Sequence, residues 1–419
     1  NLLRGDGGIV TVGKNVSTIG LSNIVIAGVA GTTDDVVINF GSALAAGTLN
    51  LTAISTKAVA ADENIEVNGT ALKTLTVNAL SASSVDVLDA DAATTINLNA
   101  TGAFTATSLA TTGTATLTIT GAGAVNLGTL DSDINTVTST ATGKLTAAIG
   151  ANVDTVLTSG DGNDVITAST TDTIATTDTL AVNGGSGTDT LVITETADVG
   201  SAADGARYTG FETLRLADSQ VVSYVAGITA VEIGATTSKS ITGLNATNSA
   251  NITATGDLTT DTFALTTATG TSDALTLKLG DTTNTTAVAV VTGVTVTGFE
   301  TVNIVENGAA TATAGANRTA VVAAFSTPTT LKNINFTGRA GTLTDMATTV
   351  AVTVDGTALT GDGATTSVGL TVGGSAVAGS SILGSAVKDV FTIGAEGSTY
   401  NGNGGNDTMT TTIAILTPD

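Results

Sequence analysis

Along most of this chain apolar and polar residues alternate one for one. Val36-Val37-Ile38-Asn39-Phe40, Leu75-Thr76-Val77-Asn78, Ile96-Asn97-Leu98-Asn99 and Ala115-Thr116-Leu117-Thr118-Ile119 each place apolar side chains on one face and Thr or Asn on the other. That period of two predicts half-buried β-strands. Val, Ile and Thr reinforce it, because β-branched side chains pack well on a pleated surface. Gly, Asn and Asp recur between the runs and predict tight turns. Only Ala141 to Ala148 and Asn317 to Phe325 read, weakly, as helix.

The alternating runs recur from end to end at irregular intervals, which predicts stacked coils. The expected fold is all-β: an elongated β-solenoid or β-roll-like rod with Gly- and Asp-rich turns. Coils of about 20 residues would give about 20 rungs and a rod on the order of 100 Å long. Small Ala and Gly suit a narrow interior, and Asn and Thr suit ladders along the stack. The competing architecture is a tandem of Thr-rich β-sandwich domains. The chain divides into a Thr/Ala-rich solenoid (1–150), a region of Gly- and Asp-rich turns, the candidate calcium turns taken up below, and a G-F-E-T repeat (151–345), and a C-terminal β region with further such turns (346–419).

Composition removes whole classes of function. The 419 residues include no His and no Cys, so hydrolytic triads, thiolate or imidazole zinc sites and disulfides are excluded. Thirteen basic residues against 36 acidic ones leave a formal charge of −23, which repels phosphate backbones and argues against nucleic acid. No stretch reaches the roughly 18 apolar residues of a membrane span. The most apolar run is Ala287 to Val296, and no leader pattern follows Asn1. About a fifth of the chain is Thr, while aromatics are 3% and Trp is absent. Carbohydrate enzymes line their clefts with aromatic rings and carry an acid–base carboxylate pair. Neither stands out, and the chain is read as non-enzymatic.

One motif carries chemistry. Gly184-Gly185-Ser186-Gly187-Thr188-Asp189-Thr190-Leu191-Val192 matches the calcium nonapeptide G-G-x-G-x-D-x-U-x at every fixed position. Ser159-Gly160-Asp161-Gly162-Asn163-Asp164-Val165-Ile166-Thr167 departs from it only at Ser159. Degenerate copies end in Asp389 and Asp407, two nine-residue periods apart. In such a turn glycines adopt positive φ and aim carbonyls inward, and the Asp supplies a hard oxygen. Ca²⁺ takes six to eight oxygens, so a stacked neighbour must complete the shell. Asp154, Asp172 and Asp178 supply nearby Asp-x-aliphatic steps. The candidate Ca²⁺ ligands are Asp161, Asp164, Asp189, Asp154, Asp172, Asp178, Asp389 and Asp407. Asp34 and Asp35 form a further acidic step. The alternative at every one of these positions is an ordinary Asx turn before a strand.

A longer repeat overlaps the motif. Gly185 to Ile193 leads to Gly210-Phe211-Glu212-Thr213-Leu214, and Gly270 to Leu277 leads to Gly298-Phe299-Glu300-Thr301-Val302. Glu212 and Glu300 are either further ligands or solvent-facing residues at strand starts, and the solvated role is the expectation.

These residues resemble calcium-binding, type I-secreted bacterial proteins with RTX-like repeats, and within that group the surface-layer (S-layer) proteins of Gram-negative bacteria. The composition matches over the whole chain and the motifs over 150–215, 270–302 and 384–410. The resemblance implies a secreted, extracellular protein of the bacterial cell surface that assembles with copies of itself into an S-layer lattice. It implies Ca²⁺ ions that fix the shape of the rod, export through a type I channel, and an anchor to lipopolysaccharide on a separate segment. No helical segment of that kind is visible here. The alternative function is an RTX-type adhesin or extracellular matrix filament subunit.

Overall fold

In a computed structural model of the chain, the described residues are 8–13, 15–23, 25–27, 35–57, 64–171, 175, 177–234, 236–268, 270–280, 290–308, 319–322, 325–326, 330–345, 350–362, 367–374, 377–393 and 397–411. Their regular structure is almost entirely β-strand, and strands of successive coils pair in parallel. The chain forms two compact units: Asn1–Glu212 with Val225–Gly227, and Thr213–Tyr224 with Ile228–Asp419. Each is a parallel β-solenoid of stacked coils. The sequence expectation of a solenoid holds, and the sandwich alternative, which needs antiparallel sheets, does not.

In the first unit each coil contributes strands to two sheets. One runs through Thr18–Ser22, Ala46–Thr52, Thr74–Ala79, Thr95–Ala100, Ala115–Thr120, Ile134–Ser139, Val156–Thr158, Ala181–Asn183 and Tyr208–Thr209. The other includes Val36–Asn39, Asn64–Asn68, Ser83–Asp89, Phe104–Ala110, Val125–Thr129, Leu145–Gly150, Val165–Ser169 and Thr190–Ile193. Register aligns like with like. Leu75, Ile96, Leu117, Val137, Leu157, Val182 and Tyr208 form one inward column, and all are at most 2% exposed. Each such aliphatic side chain contributes about 1.5–3 kcal/mol by leaving water.

The second unit begins with three strands per coil. Ala230–Ile233, Thr236–Thr237 and Ser240–Leu244 stack on Ile252–Ala254, Leu258–Thr259 and Thr262–Leu265. It ends with two strands per coil, as in Lys388–Ile393 and Thr399–Asn401. Its core column runs Leu275, Val302, Ile334, Val354 and Ile382.

Outward Asn and Thr form ladders, as their spacing suggested. Asn78 Nδ2 donates to Asn50 Oδ1 at 2.7 Å, and in the second unit Asn335 Nδ2 donates to Asn303 Oδ1 at 2.9 Å. Neither stretch read as weakly helical is helix where described: residues 141–144 bend into the strand Leu145–Gly150, and the second stretch holds the strand Thr319–Val322 and the start of Phe325–Ser326. Their inward residues sit between strands of neighbouring coils, and that packing outweighs a weak helical preference.

Candidate metal centre

The turn carboxylates form a column, because register brings the same corner of successive coils together. Leu145 N–H donates to Asp164 Oδ1 at 2.6 Å, Asp164 N–H to Asp189 Oδ1 at 2.7 Å, and Asp189 N–H to Glu212 Oε2 at 2.8 Å. Each carboxylate stands just before a strand and accepts the N–H at the same corner of the coil before it. Asp164 and Asp189 are 0% exposed. In each, Oδ1 is used by the ladder and Oδ2 has no hydrogen-bond partner. Burial pushes the Asp189 carboxyl up to about 6, and the neighbouring charges of Asp164 and Glu212 add to the rise. Burial also raises Asp164; the Leu145 N–H and the Lys144 charge pull the other way.

The glycines of the motif have a second role. A Cβ on Gly187 would lie 2.3 Å from the Gly162 carbonyl oxygen, and one on Gly162 would lie 2.7 Å from that of Gly143. The same contacts continue through Gly143 on Gly123 and Gly123 on Gly102, at 2.3 and 2.1 Å. This glycine column therefore begins several coils before the first turn carboxylate. Coil stacking alone demands it. The first glycine of the best-matched motif has both roles: a Cβ on Gly184 would lie 2.2 Å from the Gly210 carbonyl oxygen of the next coil and 2.9 Å from Asp189 Cβ, and one on Gly384 would meet Asp389 Oδ2 at 2.4 Å. The Gly-to-Asp spacing leaves room for the inturned carboxylate.

The second unit repeats the ladder. Asp273 N–H donates to Glu300 Oε2 at 2.9 Å, Lys239 N–H to Asp261 Oδ1 at 2.8 Å, and Leu370 N–H to Asp389 Oδ1 at 2.6 Å. Asp389 N–H in turn donates to Asp407 Oδ1 at 3.0 Å. Asp389 is 0% exposed, and burial raises its pKa. Its Oδ2 accepts the Ser385 N–H at 2.7 Å and its Oδ1 also accepts the Ser385 hydroxyl at 2.9 Å.

The eight candidate ligands thus fall into different places. Asp164 and Asp189 are adjacent steps of one column, and Asp389 and Asp407 are adjacent steps of another. Asp161 is exposed on its turn. Asp154 is exposed, and its Oδ1 accepts the Thr179 N–H at 3.2 Å. Asp178 Oδ2 accepts the Ala175 N–H at 2.6 Å within a local turn. Asp172 and Asp34 lie outside the described residues.

Glu212 and Glu300 overturn the solvated expectation. Both are ladder acceptors, and Glu300 is 8% exposed. The G-F-E-T repeat is one structural step used twice. Gly210 and Gly298 have φ of +68° and +84°, Phe211 and Phe299 are 0% exposed, and the Glu clamps the Asp of the coil before. Asp261 and Asp273 were also missed as ladder members. The signal that finds all four is a carboxylate immediately before a strand.

Among the described residues no three or more acidic side chains converge as a metal-binding group. A cation at Asp164 or Asp189 would take the free Oδ2 and complete its shell from backbone carbonyls and water, a set that suits a hard ion. A depression of about 400 Å³ lies beside Val156, Ala181, Arg207 and Thr209. The Arg207 guanidinium there is spent on the carbonyls of Ala175, Asp178 and Leu180. No helix among the described residues is long and apolar enough to cross a membrane. No family model matches the chain, and no curated protein matches it.

Proposed function

We propose that this chain is a calcium-dependent structural protein of a bacterial cell-surface layer, extracellular and assembling with copies of itself. The observation that supports the reading is the pair Asp164–Asp189. Two fully buried carboxylates stack one coil apart, each with an oxygen left over, and neither belongs to an ion pair among the described residues. A buried charge without a counterion is costly. A bound Ca²⁺ removes that cost and ties consecutive coils together, so calcium and folding are linked. A rigid stack of coils with a uniform core then serves as a building unit.

Electron microscopy of the purified protein with calcium and with EGTA tests the reading. Two-dimensional sheets with calcium, dissolved by EGTA and not restored by Mg²⁺, are expected. One-dimensional fibres would indicate a matrix filament instead. A protein that stays monomeric in millimolar calcium would sink the proposal.

A further inference from the structure

No strand of the nine-stranded sheet in the first unit turns a charged side chain outward; at one end of this face Arg207, beside Ala181, has its guanidinium bound to backbone carbonyls. The middle column of this face reads Thr18, Thr48, Thr76, Asn97, Thr118, Thr138, Thr158, Asn183 and Thr209, in unbroken register. On one side of it stand Ala46, Thr74, Thr95, Thr116, Thr136, Val156 and Ala181; on the other stand Gly20, Asn50, Asn78, Asn99 and Thr120. Every one of these residues except Thr209 alternates with a core residue, so the set faces outward together, and Thr209 is itself exposed. Val156, at 40%, is one of the few large apolar residues exposed among the described residues. In a chain of charge −23 this is an unusual concentration of neutral surface. The same unit's other sheet, by contrast, sets Glu66 directly opposite Asp89.

We infer that this Thr/Asn face is the contact through which one copy of the chain packs on a second copy. The inference rests on the self-assembly reading above and names its surface. Three arguments select a second copy as the occupant. Absence of acidic side chains from the outward strand positions lets two strongly acidic molecules meet here without like-charge repulsion. Thr hydroxyls and Asn amides each donate and accept, so a face made of them is complementary to itself; that is what a two-fold interface between identical surfaces needs. The size also fits. Nine strands at about 4.8 Å, and outward positions about 7 Å apart along each strand, give a face on the order of 700 Å², close to the roughly 800 Å² per partner of a standard interface. The second unit's five-stranded sheet is also uncharged on its outward face, but it offers only five short strands.

The test uses the full chain with Thr76→Lys, Thr118→Lys and Thr138→Lys together. These put cations along the middle column, where they face their own copies across the contact. Sedimentation in millimolar calcium should show association at least a hundredfold weaker than wild type, with unchanged far-UV dichroism. Wild-type-like assembly by the triple variant would overturn the assignment of this face while leaving self-assembly intact. A wild type that never assembles would instead remove the reading beneath it. Should the triple variant misfold, a spin label on Thr118→Cys in the otherwise cysteine-free chain reads copy-to-copy distance directly. Short distances in the assembled state support the face, and their absence overturns it.

Discussion

Asp189 and Asp389 make the same step in different units, yet they end in different states. Each is fully buried at the entry to a strand and holds the corner N–H of the coil before it. Asp389 is then saturated by its own turn, because Ser385 offers both an N–H and a hydroxyl. Asp189 is not. The corresponding turn amide, Gly185 N–H, goes to Asn183 Oδ1 at 2.9 Å, and Asp189 Oδ2 is left without a partner. The closer match to the calcium motif is thus the site with unspent coordinating capacity, while the degenerate copy has closed on itself. A serine in place of a glycine turns a potential ligand into a finished hydrogen-bond knot.

The sharpest way to break this contrast is Asp389→Ala. It strips two buried backbone N–H groups, on Leu370 and Ser385, of their acceptor. Each orphaned donor costs about 1–3 kcal/mol, so destabilisation of about 2–6 kcal/mol is expected in denaturant titrations, with or without calcium. The calcium count should stay at the wild-type value. A cost that vanishes in EGTA would mean that Asp389 holds an ion after all.

Asp164→Asn with Asp189→Asn addresses the other side of the comparison. Asn keeps an acceptor for the ladder N–H and loses the charge. The wild-type Tm should rise with calcium, by about 2.7 kcal/mol of stability per site at a hundredfold excess over Kd. In the double variant that rise should shrink and bound calcium should fall. An unchanged stoichiometry would reduce Asp164 and Asp189 to hydrogen-bond acceptors like Asp389.

Much of this was legible in the chain and some was not. Alternation such as Thr74 to Ala79 specifies a strand and its buried face without outside help. The Gly-to-Asp spacing from Gly184 to Asp189 specifies an inturned carboxylate. The solvated role expected of Glu212 and Glu300 fails because their partners lie one coil back, and coil length is irregular. Ladder partners are 18 residues apart at Asp389 and Asp407 but 27 apart at Asp273 and Glu300. No fixed period exposes that register. The glycine column was half visible: the motif implies positive-φ turn glycines, whereas Gly102 and Gly123 show that close coil stacking requires glycine where no motif stands.

That second role can be separated from the first. Gly123 lies in the column but far in sequence from any turn carboxylate of the ladder, and a Cβ there would sit 2.1 Å from the Gly102 carbonyl oxygen. Gly123→Ala should destabilise by about 1–3 kcal/mol through overpacking, with calcium binding intact. Gly20→Ala, where a Cβ would meet nothing within 4 Å, is the matched control. Equal stability of the two variants would refute the stacking role of the column.

The smallest effect expected is at Asp89, an acidic group outside every turn motif. Burial pushes its carboxyl up to about 6, helped by the adjacent Asp91 and by the charge of Glu66, its register partner. The raised value fixes the sign. Between the ordinary 3.8 and about 6 the folded chain binds more proton than the unfolded chain, so this group's contribution to stability is present at low pH and lost as pH rises through 6. The buried Asp164, Asp189 and Asp389 tilt the profile the same way, so the informative quantity is the difference between wild type and Asp89→Asn. The variant should match wild type near pH 3 and exceed it at pH 7. Asp89 is only half-buried and partly screened, so the gain should be on the order of 0.5 kcal/mol. Melting curves at pH 3, 5 and 7 measure it. A variant less stable than wild type at pH 7 would mean that the Asp89 charge is held by a favourable partner, and that the acidic pairing with Glu66 is not a cost to the fold.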